Sequence, residues 1–205
     1  TPGDRWEVTV DYYNIQIDDR LALASTTISQ GNVDDLNAIG YENADLLLGS
    51  AANYFVNGFD TEVSGVDLAV SSWWNLLGGV LTTDWRHNYN EQDISNVQSG
   101  AINEGRVYDL ENQVPENSSV LTFDYSRESF AGLIRVNYYD EWSSTDGLFG
   151  PPDTSSAYTY DDAVLVDIEA RYTFADRYTV AIGGENVFDE YPEDENGFVA
   201  SEVFG

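Results

Sequence analysis

The chain has 205 residues, room for one domain or for part of a larger one. It carries 37 acidic residues against 8 basic ones, all Arg, and a formal charge of −29 argues against a nucleic-acid partner, since phosphate contacts need a basic surface. The absence of Cys excludes disulfides, thiolate metal sites and cysteine nucleophiles, and no apolar run is long enough for a transmembrane helix.

The composition does not describe a disordered acidic tail, because 42% of residues are apolar and 14% are aromatic. A negative mean hydropathy would ordinarily indicate solubility. It does not do so for a membrane-spanning strand, whose lipid-facing and lumen-facing residues cancel in a window average. The chain opens Thr1-Pro2-Gly3-Asp4, with no initiator Met and no signal peptide, as expected of a piece cut from something longer.

Period-2 alternation dominates, and no segment has convincing helical periodicity. In the first strand Trp6, Val8, Val10 and Tyr12 are apolar; the alternation then slips to Tyr13, Ile15 and Ile17. The slip predicts either a bulge or the point where a long strand changes environment. A second strand runs from about Ala52 to Trp73, with Gly65 near its change of phase. The third places Leu81, Thr83, Trp85 and Tyr89 against Asp84, Arg86, Asn88 and Asn90. The fourth sets Leu121, Phe123 and Tyr125 against Thr122, Asp124 and Ser126. The fifth has Phe130, Ile134, Val136 and Tyr138 against Arg135, Asn137 and Glu141. The sixth has Val164, Val166, Ile168, Ala170 and Tyr172 against Asp167, Glu169, Arg171 and Thr173. A seventh spans about Tyr178 to Phe188, weakened at Gly183-Gly184.

The connections alternate in length. Trp74 to Gly78, Arg127 to Ser129 and Ala175 to Arg177 are short, whereas Asp19 to Ala51, Ile94 to Ser119 and Ser143 to Asp161 are long and polar. Short turns at one end and long loops at the other are the pattern of an outer-membrane barrel, and about 9–11 tilted residues suffice to cross a bilayer. In that arrangement the apolar faces meet lipid and the charged faces line a wet lumen. Trp6, Trp73, Trp74, Tyr138, Trp142, Tyr172 and Phe188 would form interfacial girdles. In a soluble β-sandwich the same apolar faces would instead pack on each other.

Four segments carry a resemblance to a known family. Val10-Asp11-Tyr12-Tyr13-Asn14-Ile15-Gln16-Ile17-Asp18-Asp19-Arg20 is similar to a strand of the form v-D-Y-Y-x-I-x-I-x-D-x-I, with Leu21 in the last apolar place. Asn57 to Leu68 resembles N-x-x-x-T-x-x-x-G-V-[DE], and Arg135 to Trp142 resembles R-x-x-Y-x-[GD]-x-[WY]. The most specific is Glu185-Asn186-Val187-Phe188-Asp189-Glu190-Tyr191-Pro192, close to x-N-[LIV]-F-[DN]-x-x-Y-P. In order and spacing these segments resemble the C-terminal barrel half of TonB-dependent outer-membrane receptors.

The resemblance implies an all-β fold, an antiparallel up-and-down transmembrane barrel segment of about seven strands from a barrel of about 22. It implies that residues 1–205 are the C-terminal portion of such a barrel, with the plug domain, the TonB-contacting box and the last strand outside this sequence. Seven strands fall short of the smallest closed bacterial barrel, about eight, so the piece by itself should expose two open edges and need detergent. The implied location is the outer membrane of a Gram-negative cell. The implied partners are the lipid bilayer, the plug, the TonB complex and a scarce small-molecule ligand: a ferric siderophore, cobalamin or an oligosaccharide.

No catalytic constellation stands out, no cofactor is called for, and neither an enzyme nor a metal site is expected. The single His87 shares a strand face with Trp85 and Tyr89, which reads as a girdle position; one His without Cys cannot make a typical zinc site. Asp189 to Gly197 is acidic enough for Ca²⁺ but lacks the spacing of a calcium loop, and reads as a solvated loop. Asp18-Asp19 points to opposite strand faces and cannot serve as a facing carboxylate pair. Gly78-Gly79 and Gly183-Gly184 lack the strand–loop–helix context of a phosphate cradle. Arg86, Arg135 and Arg171 fall on the charged face, where they can pair with Asp84, Asp124, Asp167 and Glu169 or meet the plug or an anionic ligand. Tyr158 and Tyr160, with Tyr41 and Phe149, are loop aromatics that could touch a ligand. The lack of Lys and the acid excess suit a salt-rich setting, where such charge is screened. The reading from another class is a secreted acidic β-sandwich that binds glycans or adheres; an outer-membrane enzyme barrel is disfavoured by the missing nucleophile–base set.

Overall fold

The computed structural model describes residues 5–145, 154–155 and 157–191. Pro192 of the fourth motif, most of the acidic cluster after Asp189, Phe149 and the C-terminal Phe204-Gly205 lie outside the described residues.

Seven antiparallel strands form a single meander in which each strand pairs with its sequence neighbours. They are β1 (Trp6–Thr27), β2 (Ala51–Leu76), β3 (Gly79–Ser95), β4 (Asn117–Arg127), β5 (Phe130–Tyr139), β8 (Ala163–Phe174) and β9 (Tyr178–Gly184). Two short strands, β6 (Trp142–Ser144) and β7 (Tyr158–Tyr160), pair separately within the connection from β5 to β8. The sheet is open, with β1 and β9 at its edges among the described residues. Among the described residues no second sheet packs against its apolar face, which removes the sandwich reading. Phe123, Ile134 and Ile168 stand side by side across three paired strands and are exposed, not interlocked between layers.

The register sorts side chains into two faces. Val8, Val10 and Tyr12 of β1 share a face with Leu68, Val70, Trp85, Leu121, Phe123, Ile134, Val136, Val166, Ile168, Val180 and Ile182. This apolar face is open: Val10 is 63% exposed and Ile182 76%. The opposite face carries Asp11, Asp67, Asp84, Arg86, Asn88, Asp124, Arg135, Asn137, Asp167, Glu169 and Arg171.

The short turns lie where expected and have the geometry that tight hairpins need. Leu77 and Gly78 both adopt positive φ, 50° and 79°, the two-residue turn whose twist matches its flanking strands. Glu128 (φ 48°) opens the turn between β4 and β5, and Ala175 and Asp176 (φ 54° and 51°) make the one between β8 and β9. At this end Trp6 meets Trp74 edge-to-face with centroids 5.4 Å apart, and Phe174 stacks on Tyr178 at 5.5 Å. Of the expected girdle, Trp73 alternates to the polar face and Trp142 leaves the wall for the β6–β7 hairpin.

The other end differs from expectation in four ways. First, β1 continues to Thr27, so strand replaces the start of the loop predicted from Asp19, while β2 begins at Ala51, close to the predicted Ala52. Second, the register passes Tyr12 and Tyr13 without a break; the irregularity comes between Ile17 and Leu21, where Asp19 has φ 56°. The alternation slip is therefore a change of surroundings and not a bulge. Third, two nine-residue helices appear, α1 (Gln30–Ala38) and α2 (Glu104–Asn112), with a 3₁₀ turn at Ala44–Leu47. Each helix is started locally: Ser29 and Asn32 form a reciprocal capping box on α1, and Asn103 accepts from the Arg106 N–H of α2. Fourth, β9 ends at Gly184, short of Phe188.

Gly65 marks the transition on the polar face. It pairs with Tyr13, whose phenol lies over it, and a Cβ there would overlap that ring and the Tyr89 carbonyl. Gly65→Ala is expected to lower stability by about 1–3 kcal/mol, read as a lower urea midpoint. Adding Tyr13→Ala should recover only part of the loss, because the Tyr89 carbonyl stays in place.

Candidate functional site

The polar face is a lattice of carboxylates, amides and guanidinium groups. Asn88 donates to Asp67 Oδ1 (2.7 Å) and to the Tyr13 hydroxyl (3.3 Å), tying β3 to β2 and β1. Ser71 donates to Asp84 across the β2–β3 pair. Arg171 donates to Asp124 (3.0 Å), and its Nε lies 2.8 Å from Glu169 at ion-pair distance without hydrogen-bond alignment. Asp167 gathers three groups: Arg135 stands 4.0 Å away, Asn137 donates at 3.3 Å, and the Asn186 N–H donates at 2.9 Å. These pairs are partly exposed and each contributes about 0–1 kcal/mol.

Of the three arginines singled out from the sequence, Arg135 and Arg171 thus sit in the lattice. Arg86 lies on the same face beside Asp11, Asp67 and Asn88, yet makes no ion pair among the described residues. Tyr158 and Tyr160 stand together in the β6–β7 hairpin, well away from those arginines in the chain. Tyr160 is buried and stacks on Trp142 with centroids 3.8 Å apart, while Tyr158 is exposed and meets Tyr160 edge-on at 5.2 Å. His87 is on the apolar face as expected, its Nδ1 2.7 Å from Ser119 Oγ, with Trp85 adjacent.

The fourth motif is a self-braced corner. Asn186, at φ 46°, donates its amide to the Glu190 carbonyl (2.8 Å) and accepts from the Glu190 N–H (3.1 Å). The Val187 N–H returns to the Val166 carbonyl at 2.8 Å. Asn tolerates the left-handed backbone and caps its own turn, a physical reason for that residue in the motif.

Above the lattice, the long connections fold back over the polar face. Phe59 and Thr61 continue the Asp67 side of β2 and are buried. Phe59 packs with Ala22 and Ala101, joined by Val56, Ile94, Ile102 and Leu110 in a small core under α2. Gln92 donates to the Leu110 carbonyl (2.7 Å), and the Ile94 N–H donates to Glu111 (3.0 Å). From the far side, the Thr145 N–H donates to the buried Asp109 of α2. This core borders a cleft of about 870 Å³ that holds Arg20 and Arg106. The sequence reading missed the cleft, because its walls come from a segment with no helical periodicity; the cap signal Asn103 was the available clue.

Asp60 is the brace at the irregularity. It accepts from the Asn96 amide (2.6 Å) and the Asp19 N–H (2.8 Å), two residues with positive φ, and these bonds hold its carboxyl below the ordinary carboxylate range. Asp140, beyond the end of β5, is likewise lowered, chiefly by the Asn117 amide.

The model of a family described as TonB dependent receptor-like, β-barrel, matches residues 1–187. Among solved structures, the outer membrane transporter YddB from Escherichia coli is similar with a TM-score of 0.63 at 11% identity, over 94% of this chain and 28% of that one. The FrpB iron transporter from Neisseria meningitidis (F3-3 variant) gives 0.60 at 15% identity, over 92% and 25%. The ferripyoverdine receptor of the outer membrane of Pseudomonas aeruginosa gives 0.54 at 15% identity, over 92% and 22%. At such identities the likeness is one of fold, and the chain spans about a quarter of the length of these proteins. No curated protein matches it in sequence.

The lowered carboxyl of Asp60 fixes the sign of a pH dependence. A group with a depressed folded pKa contributes stability above its unfolded value and loses it as pH falls. Hydrogen-exchange protection of the Asp19 amide should therefore drop as pH is taken from about 6 to about 3. Asp60→Asn should start low and show a flatter profile.

Proposed function

The chain belongs to the family of TonB-dependent receptor β-barrels, and from that premise we propose that it forms wall and outer loops of an outer-membrane receptor for a scarce ligand. Residues 1–205 would be the C-terminal portion of the barrel, completed by further strands, by a plug in the lumen and by the TonB complex that the plug engages. The observation that carries the reading is the two-faced, unstacked meander. A sheet whose apolar face is open and whose other face is a charge lattice suits acyl chains on one side and a wet lumen on the other.

The seven paired strands then cross the bilayer between the short turns and a level near Tyr12, Tyr89 and Tyr138. Beyond that level the outward side of the wall turns polar, with Asn14, Gln16 and Glu62, while Ile15, Val63 and Phe59 face inward, Phe59 buried under the loops and Ile15 open. The alternation slip at Tyr12-Tyr13 marks the outer membrane surface. Arg135 and Arg171 stiffen the wall by pairing across strands. Arg86, without an ion pair, is the wall arginine placed to meet the plug or an anion in transit; Tyr158 offers a loop contact, with Tyr160 holding its hairpin.

The ligand is a ferric siderophore, cobalamin or an oligosaccharide, recognised by loops and plug and drawn inward by energy coupled through TonB. No bond in it need break. Cells in which the complete receptor is the only one expressed should accumulate at least one of these three, and collapse of the proton gradient should abolish it. Uptake of none, or uptake indifferent to the gradient, would overturn the reading.

A paired substitution tests the orientation of the wall. Ile168→Arg, on the apolar face near mid-span, should cost about 2–4 kcal/mol of stability in vesicles. Leu165→Arg, three residues away on the lattice face opposite Asn137, should cost less than about 1 kcal/mol. The reverse order would place lipid on the wrong side.

A further inference from the structure

We propose that the apolar face holds one inner-leaflet phospholipid at its short-turn end, tail in a groove over β5 and β8 and phosphate on Arg127, an inference that rests on the receptor reading above. The pairing register sets Leu81, Tyr125, Gly132, Ala170 and Ile182 in one row across β3, β4, β5, β8 and β9. Gly132 and Ala170 are opposite each other in that row, so its middle has no side chain larger than a methyl group. The next row toward the loops has Phe123, Ile134 and Ile168, and the next toward the turns has Phe130 and Tyr172. Between them lies a depression of about 810 Å³ with apolar walls, within the size range of small-molecule sites. Its floor is on β5 and β8, each paired on both sides, and does not depend on an edge strand.

The neighbouring rings leave the floor open. Tyr125 lies over Gly79, where a Cβ would overlap its phenol, and donates to the Leu76 carbonyl at 3.2 Å, so its ring is drawn toward the β2–β3 turn and away from Gly132. Phe130 bounds Gly132 from the turn side, 3.7 Å from where a Cβ would stand. Ile134 and Ile168 remain about half exposed at the outer rim. A recess in a wall facing acyl chains forfeits dispersion contacts unless a chain lodges in it. Among lipid tails, however, apolar surface alone gives little drive to hold one particular chain, so a resident lipid needs a polar anchor.

Arg127 is that anchor. Arg20, Arg86, Arg135 and Arg171 take the lattice side of their strands, whereas Arg127 follows Leu121, Phe123 and Tyr125 along β4 and pairs with Phe130 on the apolar side. Its row is two residues, roughly 7 Å, below the Gly132–Ala170 floor. The guanidinium lies over Gly78 of the β2–β3 turn and makes no ion pair among the described residues, the adjacent Glu128 included. A guanidinium fork matches phosphate oxygens in pairs, and its long stem can lie on apolar surface while the charge stays at headgroup level. That level is marked at this end by Trp6 against Trp74 and Phe174 against Tyr178. The far end of the same face carries Glu62, Glu91 and Asp93, which repel a phosphate. Charge therefore selects the turn end, and with it the inner leaflet.

The test uses the complete receptor in mild detergent, read by native mass spectrometry, with phosphatidylglycerol and a diacylglycerol of the same chains as probes. The wild type should retain one phosphatidylglycerol about 10-fold more tightly than the diacylglycerol. Arg127→Gln should lose that preference while keeping its affinity for the diacylglycerol, and Arg127→Lys should recover part of it. Ala170→Phe, which fills the floor with an apolar ring, should weaken both probes at least about 10-fold. Val10→Phe, the same ring on the same face of β1, should change neither, and gel mobility before and after heating confirms that each variant folds. Equal retention of the two probes, full retention in Ala170→Phe, a preference for lipid A, or two receptor copies in place of a lipid would each overturn the proposal. In those cases a receptor that inserts into vesicles and shows gradient-driven uptake leaves the receptor reading standing, whereas one that does neither removes that reading too.

Discussion

The pleat of a single unstacked sheet is the constraint from which the rest of this structure follows. Successive residues point to opposite faces, and neighbouring strands pair without a crossover, so every apolar residue on one face stays on that face across all seven strands. The described residues supply nothing to cover that face: Val10, Ile134, Ile168 and Ile182 all remain open. A soluble fold of this size would bury such a surface against a second layer. Here the burial has to come from the surroundings, and the family to which the chain belongs is one whose barrels meet that need in a membrane.

The wall was legible in the sequence because its code is local. Leu121, Phe123 and Tyr125 against Thr122, Asp124 and Ser126 can be read without knowing which strand lies alongside. The short turns were equally readable, since two- and three-residue hairpins require left-handed backbone at fixed places, as at Gly78 and Asp176. The outer end of β1 was not. Above Asp19 the residues Leu21 to Thr27 face a mixture of solvent, loop and neighbouring strand, so neither parity is consistently apolar, and the segment looked like loop. What makes it strand is a continuous ladder from Leu21–Asn57 to Thr27–Ala51, a pairing invisible in one strand alone.

The helices escaped for a related reason. α1 buries only Val33 among its nine residues, and α2 buries Gly105 and Asp109, so neither carries an apolar stripe that periodicity could detect. Their stability comes from caps and from tertiary bonds at single points, such as the Thr145 N–H to Asp109 and Gln92 to the Leu110 carbonyl. A cap is a one-residue signal that many loops share, whereas a stripe needs ten residues to agree. The cleft that α2 helps to build was hidden with it, and Arg20 and Arg106, more than 80 positions apart in sequence, had no reason to be considered together.

Charge compensation is divided along the wall. Within the lattice, guanidinium groups stand among carboxylates at 2.8–4.0 Å, and the pairs cancel their own fields. Pairing of that kind adds little stability when partly exposed, and it compensates only part of the carboxylate charge on that face. At the mouth the balance shifts: Asp60 and Asp140 spend their oxygens on amides of Asn96 and Asn117, not on arginines. Which donors reach each carboxylate therefore decides where charge is compensated: arginines meet Asp124, Asp167 and Glu169 on the lattice face, and asparagine amides meet Asp60 and Asp140 beyond it.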